Sequence, residues 1–274
     1  MSQWKQSNIV LGDVTLHYTR TGGNKPPLVL IHGFSDNGLC WTPVARQLEA
    51  DYDVIMPDMP SHGLSSRIGE DQELDMAMDV AKLIQALQLG KPIVGGHSMG
   101  AVVTYELAVR FPYLVSAFFL EDPAWMMTVP QMTPEMAKNN PMGNWVRRLP
   151  SQTLEELLRD YTKDHPSWSR ELVQAMAESK KQLDVSIFDR LTLKLFSNDW
   201  SWKTTLQNVK QKALLFTADT KKGAVVSQEA AAEAKKLKPD LAIVYVPEAG
   251  HLIRFDAQNI FIKELKAFLS QIHI

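Results

Sequence analysis

Six short, mostly apolar runs recur along the chain, and helical patterns separate several of them. The run over residues 28–31 has no polar residue, which is typical of a strand buried on both faces of a sheet. The apolar runs cover residues 28–31, 53–56, 92–95, 116–120, 213–216 and 241–246. Helical patterns cover residues 42–48, 73–87, 101–110, 228–236 and 260–272. This alternation predicts an α/β fold whose central sheet is mostly parallel and flanked by helices, with an early antiparallel strand over 14–18.

The alternation stops between residues 124 and 205. Five of the seven tryptophans lie in this segment, together with five methionines within 17 residues. Helices are predicted over 153–161, where Thr153 and Glu156 match a capping box, and over 170–181. We therefore predict a helical cap, or lid, over residues 124–205, inserted into a core formed by residues 1–123 and 206–274.

The composition excludes several classes of protein. The 274 residues include 29 Lys and Arg against 31 Asp and Glu, a net charge of −2, so no basic surface for nucleic acid is expected. The single cysteine, Cys40, cannot form an intramolecular disulfide or a thiolate metal cluster. No apolar run approaches the ~20 residues of a membrane span, and residues 1–10 lack the apolar core of a secretory signal. We expect a cytoplasmic protein that binds neither nucleic acid nor membrane.

The segment over residues 92–100 carries the strongest chemical signal in the chain. Gly96, Ser98 and Gly100 form a G-x-S-x-G pattern between a predicted strand and a predicted helix. A serine on so sharp a turn has a strained backbone, and glycine two residues to either side leaves room for the turn. Its hydroxyl projects above the sheet beside a helix N-terminus, where backbone N–H groups favour developing negative charge. The pattern predicts that Ser98 is a nucleophile.

A second pattern supports this prediction. His32-Gly33-Phe34 follows directly after the predicted strand over 28–31. In this arrangement the backbone N–H of Phe34 joins that of Met99 in an oxyanion hole. The side chain of His32 is expected to brace the loop.

These motifs resemble those of the α/β-hydrolase superfamily over nearly the whole chain. The resemblance rests on His32-Gly33, the segment 57–65, the turn 96–100 and Gly250-His251. The second motif usually reads D-x-P-G-H-G-x-S, and Ser61 replaces its first glycine here, a change that affects a turn. The resemblance implies an α/β-hydrolase fold and a structural role for His62.

His251 is the histidine placed to act as the base. It follows the last predicted strand through residues 247–250, and the order serine, acid, histidine is the one this fold uses. A neutral imidazole there can take the Ser98 proton and return it to the leaving group.

The acid has three candidates. Most members of the superfamily carry it after the strand that corresponds here to residues 213–216, but the two alignments of that loop place Lys221 or Gly223 at the acid position. A subset that includes haloalkane dehalogenases carries the acid one strand earlier, and Asp122 falls on that position. We expect Asp122, with Asp219 as the alternative and Glu121 as a third possibility.

A serine nucleophile implies an acyl-enzyme intermediate and requires no metal or organic cofactor. Dehalogenases and epoxide hydrolases of this fold use an aspartate instead, which disfavours their reactions here. We expect hydrolysis of a small, mostly apolar carboxylic ester. A lactonase, a C–C bond hydrolase and a slow-turnover small-molecule receptor of the same fold remain alternatives.

The tryptophans and methionines of the insertion suggest an apolar pocket above Ser98. Trp125, Met126 and Trp145 are the candidate substrate-binding residues, and the alternative is that such residues only pack the insertion onto the core. Arg147, Arg148, Lys180 and Lys181 are expected on a solvated face.

Overall fold

Eight strands form one sheet in the computed structural model, which describes residues 4–124, 135, 141–195 and 202–272, with the backbone alone for 192–195. The strand order is β1-β2-β4-β3-β5-β6-β7-β8. The strands are β1 Lys5–Leu11, β2 Val14–Arg20, β3 Pro27–Ile31, β4 Asp53–Pro57, β5 Ile93–His97, β6 Ala117–Glu121, β7 Lys212–Ala218 and β8 Ala242–Val246. The six strands β3 to β8 pair in parallel, which confirms the predicted fold class.

The apolar runs are explained by burial on both faces of this sheet. Leu28 and Leu30 of β3 belong to the apolar cluster that includes Trp41, on one face. Val29 and Ile31 belong to the cluster on the other face. Because successive side chains of a strand point to opposite faces, a central strand needs apolar residues at every position.

The first strand, β1, was not predicted. It pairs with β2 as an antiparallel hairpin at the edge of the sheet, and most of its side chains are exposed. Val10 is 70% exposed. An edge strand with so little burial has no apolar pattern to detect, and only the pairing with β2 shows it.

Helices cover the sheet and fill the segment between β6 and β7. The helices of the described residues are α1 Thr42–Leu48, α2 Met76–Ala86, α3 Met99–Arg110, α4 Pro141–Arg148, α5 Leu154–Asp164, α6 Arg170–Gln182, α7 Ile187–Leu195, α8 Trp202–Thr205, α9 Gln228–Leu237, α10 Ile253–Asp256 and α11 Gln258–Leu269. The predicted capping box is confirmed, because the Thr153 hydroxyl accepts from the Glu156 amide and the Glu156 carboxylate accepts from the Thr153 amide. Helices α4, α7, α8 and α10 were not predicted.

The described residues of the insertion, 141–195 and 202–205, pack on the core rather than apart from it. Leu157 and Ala177 are buried in the same apolar cluster as Val102 of α3. The ring of Phe188 lies 5.4 Å from that of Phe34, just after β3. The insertion therefore contacts the carboxyl end of the parallel strands, where sites in α/β folds lie.

In the part of the chain that the structure describes, no helix is both long and apolar enough for a membrane span.

Candidate active site

Ser98 occupies a sharp turn between β5 and α3. Its backbone has φ 52° and ψ −114°, a region that non-glycine residues rarely adopt, and its side chain is partly exposed. A Cβ on Gly96 would lie 2.2 Å from the Gly100 carbonyl oxygen, and one on Gly100 would lie 2.3 Å from the Ile31 carbonyl oxygen. Only glycine fits at both positions, which explains the G-x-S-x-G spacing.

Two backbone amides lie on the elements predicted to form an oxyanion hole. Met99 is the first residue of α3, and the leading amides of a helix have no acceptor within the helix. Phe34 follows β3, which pairs directly with β5. His32 braces this loop, because Nδ1 donates to the Gly33 carbonyl at 2.7 Å and Nε2 accepts from the Met59 amide at 2.9 Å.

His251 and Asp122 are hydrogen-bonded. Nδ1 of His251 lies 2.5 Å from Oδ2 of Asp122, which is fully buried at the end of β6. The amides of Val225 and Val226 donate to the two carboxylate oxygens at 2.8 and 2.9 Å. These donors orient the carboxylate, and a proton on Nδ1 leaves Nε2 of His251 as the acceptor.

The two alternative acids lie elsewhere. Asp219 Oδ1 accepts from the Lys221 amide at 3.0 Å and so caps a single helical turn over 220–222. Glu121 forms an ion pair with Arg254, with Oε2 3.0 Å from the guanidinium. The structure thus places Asp122 alone of the three candidates against His251.

Sequence reasoning missed His97, the residue before Ser98. Its Nε2 lies 2.9 Å from the carbonyl oxygen of His251, and the two imidazole rings are 4.6 Å apart. Burial, with the nearby Arg254 charge, holds the pKa of His97 well below its ordinary value, so the ring is neutral and Nε2–H donates. In the sequence His97 is marked by its position next to Ser98. The contact itself could not be predicted, because His251 lies 154 residues away in the chain.

His62 is buried beside the same loop. Its Nδ1 donates to the Pro60 carbonyl at 2.9 Å, and its ring meets the edge of Phe34 at 5.5 Å. Burial lowers the pKa of His62 to about 3. A neutral ring packed in this way braces the loop, as the resemblance implied.

Of the candidate substrate-binding residues, Trp145 lines a cleft of about 430 Å³ with Leu157 and Tyr161. Trp125 and Met126 lie outside the described residues.

The expectation that Lys180 lies on a solvated face is wrong. The residue is 3% exposed, and its ammonium contacts Asp36 Oδ1 at 2.7 Å and the Ser35 carbonyl at 3.0 Å. Arg147 and Arg148 are exposed as expected. The pattern of the helix could not reveal a buried anion supplied by a distant loop.

Comparisons with known proteins agree with this architecture. A model of the alpha/beta hydrolase family matches residues 28–261. The chain is 27% identical to N-formylmaleamate deformylase of Pseudomonas putida, covering 96% of this chain and 95% of that one. It is 26% identical to 2-(acetamidomethylene)succinate hydrolase of Mesorhizobium japonicum, covering 94% and 93%, and 26% identical to Lipase 1 of Psychrobacter immobilis, covering 97% and 84%.

Solved structures show the same fold. The crystal structure of the N-formylmaleamic acid deformylase of Pseudomonas putida S16 superposes with a TM-score of 0.78 at 25% identity, covering 95% of this chain and all of that one. That of E-2-(acetamidomethylene)succinate hydrolase gives a TM-score of 0.77 at 21% identity, covering 98% and 100%. These relatives are named as a deformylase, a hydrolase and a lipase. The match over residues 28–261, together with the sheet order and the turn at Ser98, shows that this chain belongs to the alpha/beta hydrolase family.

Proposed function

We propose that the protein is a serine hydrolase that cleaves a small, mostly apolar carboxylic ester. The observation that carries the proposal is the 2.5 Å hydrogen bond from His251 to Asp122, at the same edge of the sheet as the strained turn at Ser98. The three residues come from the carboxyl ends of β5, β6 and β8. A nucleophile, a base and an acid that orients the base are the parts that acyl transfer needs.

The reaction proceeds through an acyl-enzyme. Nε2 of His251 takes the proton from the Ser98 hydroxyl as its oxygen attacks the ester carbonyl. The amides of Phe34 and Met99 donate to the oxyanion that forms. His251 then protonates the leaving alcohol as the C–O bond breaks. Water, deprotonated by the same imidazole, attacks the acyl-enzyme, and the carboxylic acid leaves as Ser98 regains its proton.

Asp122 acts on His251 rather than on the substrate. Its buried carboxylate holds the imidazole in the tautomer with the proton on Nδ1, and it stabilises the imidazolium that forms during each step. The two valine amides orient the carboxylate and neutralise part of its charge.

The insertion supports an apolar substrate. Phe34 and Phe188 pack together, with ring centres 5.4 Å apart, beside the backbone amide that we assign to the oxyanion hole. The cleft lined by Trp145 is of mixed character, because Leu157 and Tyr161 share it with Arg148, Asp160 and Asp164. We propose Trp125, Met126 and Trp145 as substrate-binding residues.

Amide hydrolysis is the second candidate. Two relatives that match nearly the whole chain are named as a deformylase of N-formylmaleamate and a hydrolase of 2-(acetamidomethylene)succinate. The same nucleophile and base serve an amide, provided that His251 protonates the leaving nitrogen. Lactones and ketones with a cleavable C–C bond use the same groups, so a panel that also includes a lactone and a dienone decides among them.

Labelling with a fluorophosphonate probe tests the nucleophile. The native protein should be labelled, Ser98→Ala should not be, and Ser270→Ala, which changes an exposed serine after α11, should be labelled as fast as the native chain. Equal labelling of Ser98→Ala, or no labelling of the native protein, would refute the proposal.

A substrate panel then tests the specificity. We expect hydrolysis of p-nitrophenyl butyrate and hexanoate at least as fast as of the acetate. A strict preference for acetate would count against an apolar pocket, and turnover of an N-formyl or N-acetyl enamine with inert esters would favour the amide candidate.

A further inference from the structure

Four charged side chains form a buried charge cluster next to the candidate active site: Asp36, Glu121, Lys180 and Arg254. Their exposed fractions are 4%, 0%, 3% and 0%. Charged side chains are rarely buried so fully unless they are paired, and the two cations here balance the two anions.

Three of these side chains lie within three residues of a proposed active-site group, Asp36 in the loop after β3, Glu121 at the end of β6 and Arg254 in α10. Asp36 lies two residues after Phe34, and Glu121 directly precedes Asp122. Arg254 lies three residues after His251. Each of these three segments therefore joins the cluster close to its own active-site group, which is the Phe34 amide, Asp122 or His251.

Arg254 joins these three segments to one another. Its guanidinium lies 3.0 Å from Glu121 Oε2 and 3.7 Å from Asp36 Oδ2, and its backbone amide donates to Glu121 Oε1 at 2.8 Å. The guanidinium also stacks between the rings of Trp41 and Phe255, at 4.6 and 4.2 Å. These contacts fix the guanidinium within the core.

Lys180 is the member that comes from the insertion. Helix α6 brings its ammonium to Asp36 Oδ1 at 2.7 Å and to the Ser35 carbonyl at 3.0 Å. The same ammonium lies 5.8 Å from the ring centre of Tyr161, which lines the cleft with Trp145. Although burial alone would raise it, Lys180 and Arg254 hold the pKa of Asp36 below its ordinary value, so the carboxylate is ionised.

We propose that Lys180, which belongs to the insertion, is a positioning residue for the loop that carries the Phe34 amide. Its ammonium holds this loop by binding the Ser35 carbonyl and the Asp36 carboxylate. The inference rests on the proposed function, because it assigns the Phe34 amide to the oxyanion hole. Ser35 is the residue next to Phe34, and its backbone has φ 66°, a conformation that needs support from its neighbours. Packing of the insertion against the core thereby positions the Phe34 amide in the oxyanion hole.

The cluster predicts a specific loss when Lys180 is removed. Lys180→Met leaves Asp36 buried with the Arg254 guanidinium at 3.7 Å and leaves the Ser35 carbonyl without the ammonium. A displaced Phe34 amide weakens stabilisation of the oxyanion, and this affects the chemical step more than binding of the reagent.

The test measures fluorophosphonate labelling of Ser98 as a function of probe concentration. For Lys180→Met we expect the limiting labelling rate to fall about 10- to 100-fold, while the half-saturating concentration stays within about threefold. Lys180→Arg, which keeps the charge, should recover most of the rate. Lys180→Met/Asp36→Asn removes both charges of the ion pair and should therefore be more thermally stable than Lys180→Met. Its limiting labelling rate should stay low, because no ammonium binds the Ser35 carbonyl.

Lys181→Met is the matched control. The Lys181 ammonium binds the carbonyls of Pro150 and Gln152 within the insertion, at 3.1 and 2.7 Å, and touches no active-site loop in the described residues. It should label at the native rate.

Three results would overturn the positioning role: a folded Lys180→Met with the native limiting rate, a double variant that recovers that rate, or an equal loss in Lys181→Met. If Lys180→Met does not fold, the double variant decides the question: a folded double variant with a low limiting rate supports the positioning role, and one with the native rate overturns it. Failure of the native protein to label at all would refute the proposed function instead, so the two failures are distinguishable.

Discussion

Nε2 of His97 lies 2.9 Å from the carbonyl oxygen of His251, and the neutral ring of His97 packs against the ring of His251. Asp122 holds the imidazole of His251 from its Nδ1 side. His97 thus restrains the backbone of His251, while Asp122 restrains its imidazole ring.

Replacing His97 should slow the reaction without unfolding the protein. His97→Leu removes the donor to the His251 carbonyl, and one hydrogen bond of about 1.4 kcal/mol corresponds to about a tenfold lower kcat. His97→Gln keeps an N–H donor and should recover most of the rate. Steady-state kinetics on p-nitrophenyl butyrate and a thermal melt measure both effects. A His97→Leu protein with native kcat would show that the contact plays no part in positioning His251.

The identity of the acid can be tested by isosteric substitution. Asp122→Asn should lower kcat by roughly 10³–10⁴-fold, because an amide cannot stabilise the imidazolium and favours the wrong tautomer. Asp219→Asn should stay within a few fold of the native rate, since that side chain caps a helical turn. Loss of activity in Asp219→Asn alone would reverse the assignment.

The turn at Ser98 should tolerate no side chain at Gly100. A Cβ there lies 2.3 Å from the Ile31 carbonyl oxygen, so Gly100→Ala must move β3 or α3 and should lower the free energy of unfolding by roughly 3 kcal/mol. Gly69→Ala is the control, because its Cβ meets its nearest neighbour at an ordinary 3.5 Å. Urea unfolding of both variants provides the measurement. Similar stability of the two would contradict the steric argument.

Stability should fall as the pH drops from 7.5 to 5.5. Burial lowers the pKa of His32, His62 and His97 in the folded protein below the value of about 6.5 that they have when unfolded. Below pH 6.5 the unfolded chain therefore binds more protons than the folded one, so acid favours unfolding.

His62, whose pKa lies at about 3, and His97, whose pKa lies well below its ordinary value, should each account for a loss of about 1.4 kcal/mol between pH 7.5 and 5.5. Urea unfolding at several pH values measures the slope. His62→Gln should lessen the loss by about 1.4 kcal/mol, whereas a flat profile for the native protein would show that these rings are protonated in the folded state.

The strands of the core and the turn at Ser98 were predictable because their signals are local. A central strand must be apolar at each position, and the turn needs glycine at both Gly96 and Gly100 whatever surrounds it. Helix α1 was predicted with its observed bounds, and the capping box of α5 was predicted from two residues three apart.

The sequence alone could not predict which side chains from distant segments of the chain contact one another. Asp122, Asp219 and Glu121 each lie near the end of a strand, and all three satisfy the spacing that a triad needs. Only the path of the chain shows that Asp122 meets His251 while Glu121 turns to Arg254.

Amphipathic pattern likewise assigned Lys180 to the solvent, since a lysine on a polar helix is ordinarily hydrated. The sequence by itself determined the fold class, the strained turn and the order of the candidate residues, because each depends on neighbours in the chain. The tertiary structure decided which carboxylate meets the base and which lysine is buried, because hydrogen bonds and ion pairs join residues that only folding brings together.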